Sequence, residues 1–166
     1  FIKLEFGLES TLDRSLKLIN RCQTHQDAID AFNLAKNRGL HLGCHLILGL
    51  PGESKLEMIN HANMISKLPV NTVKIHHLQI VKNTMMAFQF KTTPSFFNFF
   101  ELNEYIDLVV DFLERLSPLI IVERFFSESP PNMLIYPKYG LKNFQIKHLV
   151  EKRLEERNTF QGRLIS

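Results

Sequence analysis

Three short stretches carry the residues whose types and spacing could do chemistry. In Lys3-Leu4-Glu5-Phe6-Gly7, with Glu9 beyond, polar and apolar residues alternate, so Lys3, Glu5, Gly7 and Glu9 share one face of a strand. In His41-Leu42-Gly43-Cys44-His45-Leu46 both histidines fall on one face, about 13 Å apart by strand rise, which is too far to chelate one metal ion. In Lys74-Ile75-His76-His77-Leu78-Gln79, Lys74 and His76 share one face, while His77 and Gln79 share the other. Carboxylates and imidazoles at a strand's end can grip a polar ligand. A lysine inside a barrel can form a Schiff base once desolvation favours its neutral amine. Lys74 is the candidate for such aldolase-type chemistry, and no second feature supports it. Taken singly, Glu5 reads more readily as a solvent-facing edge residue, and His45 as a satisfied core histidine. Gly49-Leu50-Pro51-Gly52 lacks the Lys and Ser/Thr of a phosphate-binding P-loop and the spacing of a dinucleotide loop. There is no serine elbow, no HExxH, and Cys22 and Cys44 form no CxxC pair.

The elements that must position these residues follow from periodicity. A strand over Ile2–Gly7 leads to a helix opened by a capping box of Ser10 and Asp13, with Leu12, Leu16 and Ile19 inward. A second helix spans 26–38, with Ala28, Ala31, Phe32 and Ala35 inward and Gly39 closing it. The strand 41–48 runs into the Gly-Leu-Pro-Gly turn. Ser54 and Glu57 then cap a helix whose buried stripe is Ile59, Ala62, Ile65 and Leu68. A third strand is predicted over 71–81, a loop over 94–100, and an amphipathic helix over 102–116. The apolar run Leu119-Ile120-Ile121-Val122 predicts a fourth, buried strand. Residues 127–139 read as irregular, and 143–157 as a charged surface helix. Strands alternating with helices imply crossover connections and a parallel sheet, whose ligands sit at the carboxyl ends of the strands. By unit count this is half of a (β/α)₈ barrel, which takes roughly 250 residues. A flavodoxin-like open sheet fits the same pattern.

Composition narrows the class. The 166 residues are 45% hydrophobic and 22% charged, which excludes disorder and collagen-like repeats. No apolar run approaches the ~18–20 residues of a membrane span. The net charge is +3, with 20 Lys and Arg interspersed among 17 Asp and Glu rather than gathered on a face, so no nucleic-acid patch is indicated. Two distant cysteines favour a reduced, cytoplasmic setting. The first residue is Phe1, no signal peptide is visible, and the chain reads as a piece of a longer protein.

Several separate motifs, nearly end to end and in order, carry a resemblance. They are Glu5-Phe6-Gly7-Leu8-Glu9-Ser10, Leu18-Ile19-Asn20-Arg21, the run from His45 through Gly49-Leu50-Pro51-Gly52 to Glu53, the run from Lys74 to Thr84, Arg124, the Pro137 region, and Thr159-Phe160-Gln161-Gly162-Arg163. Together they resemble the second half of a radical S-adenosylmethionine (SAM) enzyme, in the YhcC-like branch of uncharacterised iron–sulfur proteins. The resemblance implies a partial or full (β/α) TIM-type barrel. It also implies a CxxxCxxC loop holding three irons of a 4Fe–4S cluster, the fourth iron binding SAM. Reductive cleavage there yields a 5′-deoxyadenosyl radical that takes hydrogen from a substrate. Carried over position by position, Glu5 and Glu9 match strand-four residues facing the cofactor, the Glu9 position often being Gln in that branch. Arg21 matches an arginine that pairs with the cofactor's carboxylate. His45 matches a fifth-strand position reaching the ribose hydroxyls, and the backbone from Ile47 to Gly49 would lie near the adenine. CxxxCxxC is absent here, and neither Cys22 nor Cys44 matches it. SAM and the cluster are therefore expected in a full-length parent and not on this chain alone, which would be inactive. On this reading residues 1–125 form the barrel half and 126–166 a C-terminal extension. The bare edge of the first strand is expected to promote self-association. The rival readings are a non-enzymatic α/β partner-binding module and the Lys74 aldolase-type barrel.

Overall fold

The computed structural model describes residues 1–165. In chain order the elements are β1 (Lys3–Glu9), α1 (Asp13–Leu18), α2 (His25–Ala35), β2 (His41–Leu48), α3 (Lys55–Ile65), β3 (Thr72–His77) and β4 (Ile80–Val81). They continue as α4 (Met85–Thr92), a 3₁₀ turn (Pro94–Phe96), α5 (Leu102–Leu113), β5 (Ile121–Arg124), β6 (Leu134–Tyr136) and α6 (Asn143–Glu156). Four strands form a parallel sheet in the order β1-β2-β3-β5, and β4 pairs antiparallel with β6.

Alternation gives the sheet two unlike faces. Leu8, Leu42, Cys44, Leu46, Val73 and Ile75 are buried in one cluster with Phe32 of α2, Ala62 and Ile65 of α3, and Val109 and Leu113 of α5. Burial of such apolar area is the main favourable term in folding. The opposite face carries Lys3, Glu5, Gly7, Gly43, His45, Thr72, Lys74 and His76 and contributes nothing to that cluster. A doubly wound open sheet would need an apolar layer on both faces. Ile146 and Val150 of α6 join the same core, and ion pairs from Arg153 to Asp107 and from Arg157 to Asp107 and Asp111 clamp α6 on α5. Among the described residues no helix is long and apolar enough to cross a membrane.

Three expectations are corrected. Ser10 does not cap α1, whose N-cap is Leu12 with no side-chain bond; the Ser10 hydroxyl donates to Glu53 instead, at 2.6 Å. The third strand ends at His77 rather than Val81, because Leu78 turns back to donate its N–H to the Leu48 carbonyl and 80–81 pairs with residues 134–136. The fourth strand is Ile121–Arg124, shifted two residues and at the sheet margin. Ile120 is 3% exposed and Ile121 62%, since an edge strand has a neighbour on one side only. The loop expected over 94–100 is present, as a 3₁₀ turn and irregular chain; the helix before it, α4, is unexpected, because it has no buried residue and so lacks the apolar stripe by which a helix is recognised.

Candidate functional site

A cleft of about 380 Å³ opens at the carboxyl ends of β1, β2 and β3. Glu9, His45, Ile47, His76 and Ser127 line it, with Ile19, Leu50 and Met86 as apolar walls. The volume lies within the ~300–1,000 Å³ range of small-molecule sites.

Glu9 enters the cleft through an unusual backbone. A bulge between Gly7 and Glu9 interrupts the β1–β2 register, and Glu9 adopts φ 61°, a left-handed conformation that strains a side-chain-bearing residue. Burial pushes its carboxyl pKa up, against the pull of Arg21 and His45. The Arg21 guanidinium donates to the Gly7 carbonyl at 2.8 Å and stands 3.9 Å from the Glu9 carboxylate. It crosses the strand where there is no side chain. A Cβ on Gly7 would lie 2.4 Å from Arg21 Nη2 and 2.7 Å from Glu9 Oε1.

Behind Glu9 the loop is held by a buried polar network. Glu53 accepts from the Ser10 hydroxyl at 2.6 Å and faces His61 Nε2 at 3.2 Å; His61 Nδ1 bonds the Thr11 hydroxyl at 2.7 Å. Burial works to raise the Glu53 pKa, but its hydrogen bonds to His61 and Ser10 outweigh it and hold the carboxyl below its ordinary value.

Below the cleft Glu5 sits in a layer of ion pairs rather than in the wall. Its carboxylate is 2.8 Å from Lys3 and 2.5 Å from Lys74, and hydrogen bonds from these two ammoniums hold its pKa near about 2. Glu123 completes the set, 2.5 Å from Lys3 and 3.7 Å from Lys74. Gly43 makes this convergence feasible, since a Cβ there would lie 2.9 Å from Thr72 Oγ1 and 3.3 Å from Glu5 Cγ. Lys74 is thus committed to carboxylates, and its nitrogen does not open on the cleft.

His45 and His76 stand side by side, ring centroids 5.4 Å apart; the Nε2 atom of each is buried without a hydrogen-bond partner, that of His45 standing 3.5 Å from Glu5 Oε2. A buried unpaired polar atom is costly and marks a place where a ligand could supply the missing bond. His76 Nδ1 bonds the Ser127 hydroxyl. Burial, reinforced by His45, Arg124 and Lys74, lowers the His76 pKa to about 4, and burial lowers that of His77 to about 3. Both rings are neutral at pH 7. Gly49, at φ 96°, a conformation suited to glycine, lies beside Leu78 and Phe100, outside the cleft wall.

Of the six residues singled out in the sequence, Glu9, His45 and Ile47 line the cleft, Arg21 flanks it, and Glu5 and Gly49 lie just outside. His76 shares its face with Lys74, so alternation could have found it. Ser127, Glu53 and His61 had no local signal. The residues do not suit an iron–sulfur cluster: Cys22 is exposed, Cys44 is buried on the helical side with its thiol pushed up to about 12 by burial, and among the described residues no three His, Cys, Asp or Glu are grouped to hold a metal ion.

Comparison with known proteins gives a consistent picture. The family model of the Radical_SAM C-terminal domain matches residues 70–156. The uncharacterized protein MJ0486 of Methanocaldococcus jannaschii is 34% identical over 97% of this chain and 50% of its own length. Protein YhcC of Escherichia coli is 31% identical over 81% of this chain and 43% of its own. The chain thus spans about half the length of the curated relatives it matches. The solved structure of archaeal Methanocaldococcus infernus Elp3 with an N-terminal deletion superposes on 96% of this chain and 37% of that one, with TM-score 0.83 at 22% identity, a likeness of fold.

Proposed function

Because the chain belongs to the Radical_SAM C-terminal domain family and is YhcC-like, we propose that it is the carboxyl-terminal half of the (β/α) barrel of a radical SAM enzyme, and that its cleft holds the cofactor. The observation that carries this reading is the pairing at the strand ends of a carboxylate and a guanidinium, Glu9 and Arg21, 3.9 Å apart over Gly7, beside two imidazole nitrogens lacking partners.

Arg21 offers a planar, two-pronged donor suited to the cofactor's carboxylate. Glu9 offers a carboxylate to its ammonium. His45 supplies a ring nitrogen to the ribose hydroxyls, and Ile47, the member of the 47–49 stretch that lines the cleft, borders the adenine. Bound there, SAM would supply one-electron chemistry directed at a hydrogen atom of the substrate, with the electron coming from a cluster held outside these residues. Glu5 acts from below: its ion pairs with Lys3 and Lys74 fix the strand ends and set the field around His45, 3.5 Å away. Nothing in these residues supplies cluster ligands, so the three thiolates belong elsewhere in the protein.

The test is to read the gene upstream of the codon for Phe1. A CxxxCxxC within the preceding ~100–150 codons, the size of half a barrel, is the expected result. Anaerobic reconstitution of the complete protein should then give an iron–sulfur chromophore. An initiator codon directly before Phe1, with no such motif, would overturn the reading. A second reading, a partner-binding α/β module, would then lead, favoured by the apolar groove of Leu4, Phe6, Leu34 and Leu40 beside the bare edge of β1.

A further inference from the structure

A second compartment, of about 430 Å³, lies beside the cleft, between the end of β3 and residues 126–142. Phe126, Leu134, Tyr139 and Leu141 give it apolar walls, and Gln79 and Ser127 form a polar seam. The same two seam residues line the cleft, so the spaces are contiguous.

The compartment is preorganised. Gln79 accepts from the Ser129 hydroxyl at 2.6 Å and donates to the Ser127 carbonyl at 3.2 Å. Phe126 stacks on His77 with ring centroids 3.9 Å apart and planes 11° apart, and the Tyr139 hydroxyl donates to the Phe100 carbonyl. Phe126 and Tyr139 also touch each other, ring centroids 5.8 Å apart and planes tilted by 43°, so they form one fixed wall that receives an apolar body with little loss of side-chain freedom.

The rim supplies a charge. Lys142 is paired with Glu128 at 3.3 Å, whereas Lys138, exposed at the same rim, has no carboxylate partner among the described residues. One unmatched cation beside an apolar slot selects a ligand with one anionic end.

We propose that this compartment is the substrate site, taking a small molecule with an apolar body and a single anionic group, the body against the wall of Phe126, Leu134, Tyr139 and Leu141 and the anion toward Lys138. The proposal rests on the cofactor reading of the neighbouring cleft. A hydrogen atom passes only between groups in contact, and the seam of Gln79 and Ser127 is where molecules in the two spaces would meet.

The probe is 8-anilinonaphthalene-1-sulfonate, an aromatic body bearing one sulfonate, titrated by fluorescence into the complete protein without cluster or SAM. The expected result is saturable binding weakened about tenfold by Lys138→Glu, kept by Lys138→Arg, and abolished by Leu134→Trp, which fills the slot. N-phenyl-1-naphthylamine, the same body without the sulfonate, should bind more weakly and ignore Lys138→Glu. Affinity unchanged in Lys138→Glu and Leu134→Trp, or lowered only by Leu34→Glu in the groove beside β1, would overturn the proposal. This binding needs neither cluster nor SAM. A missing upstream CxxxCxxC with the probe site intact would remove the cofactor reading but keep the anion site. The motif present with the probe indifferent to these variants would do the reverse.

Discussion

Gly7 is the residue on which the cofactor-binding account turns most sharply. Its missing side chain leaves the path along which Arg21 crosses the strand to stand beside Glu9. In Gly7→Ala the atoms a Cβ would meet are the ends of flexible side chains, so the fold should survive while Arg21 and Glu9 are pushed apart. SAM affinity of the complete enzyme should fall about tenfold, ~1.4 kcal/mol, with the thermal midpoint nearly unchanged; unaltered affinity would remove Gly7 from the account. The two histidines at the end of β3 give a second residue-scale outcome. His77 is buried and His76 half-buried, and both are neutral in the folded state at pH 7, with a pKa lowered from 6.5 to about 4 for His76 and about 3 for His77. The unfolded chain therefore binds protons first, and stability should drop as pH falls from about 6.5 toward about 4. Glu9, whose folded pKa is raised, works in the opposite direction and offsets part of the loss. The decline should be shallower in His77→Phe, which keeps a ring against Phe126; equal slopes in thermal melts of the two proteins would contradict the assignment.

Among the elements, the turn after β1 and the start of α3 are joined by the Glu53–His61–Thr11 chain with Ser10. Removing one member of a buried charged network leaves the others unpaired, so Glu53→Ala should cost about 3 kcal/mol in urea unfolding. Glu53→Gln, which keeps a hydrogen-bonding group there, should cost distinctly less. Equal, small losses in the two variants would mean that the Glu53 carboxylate is not held by this network. This network also shows where sequence reading stops. Period-two alternation located β1 and β2, and the capping boxes and apolar stripes located α3 and α5, because those signals are local. Ser10 was assigned to cap a helix, since its bond to Glu53 spans 43 residues and leaves no mark in the neighbouring sequence. His76 was visible as a face-mate of Lys74, but its partner Ser127 is 51 residues away. The run Leu119–Val122 has the composition of a buried strand, and only its place at the sheet margin exposes Ile121.

For the molecule as a whole, the unlike faces of the sheet are the main finding. An apolar face packs against helices, and a polar, half-buried face carries an ion-pair layer with a cleft above it, as expected of a wall that encloses a reaction space. The β1 strand has a neighbour on one side only, and the groove of Leu4 and Leu34 runs along that edge. A bare parallel edge with apolar flanks should draw a second chain, so the chain on its own is expected to sediment as a dimer or larger species. Leu34→Glu should shift it toward monomer; a monomer at all concentrations would contradict this. Whether the cleft at the strand ends holds the cofactor is decided by titrating SAM into the complete, cluster-reconstituted protein and its Arg21→Ala variant by calorimetry. Affinity in the variant should be weakened tenfold or more, the order of a lost charge-assisted pair, with the cluster's absorption unchanged. Equal affinity in the two proteins would contradict it.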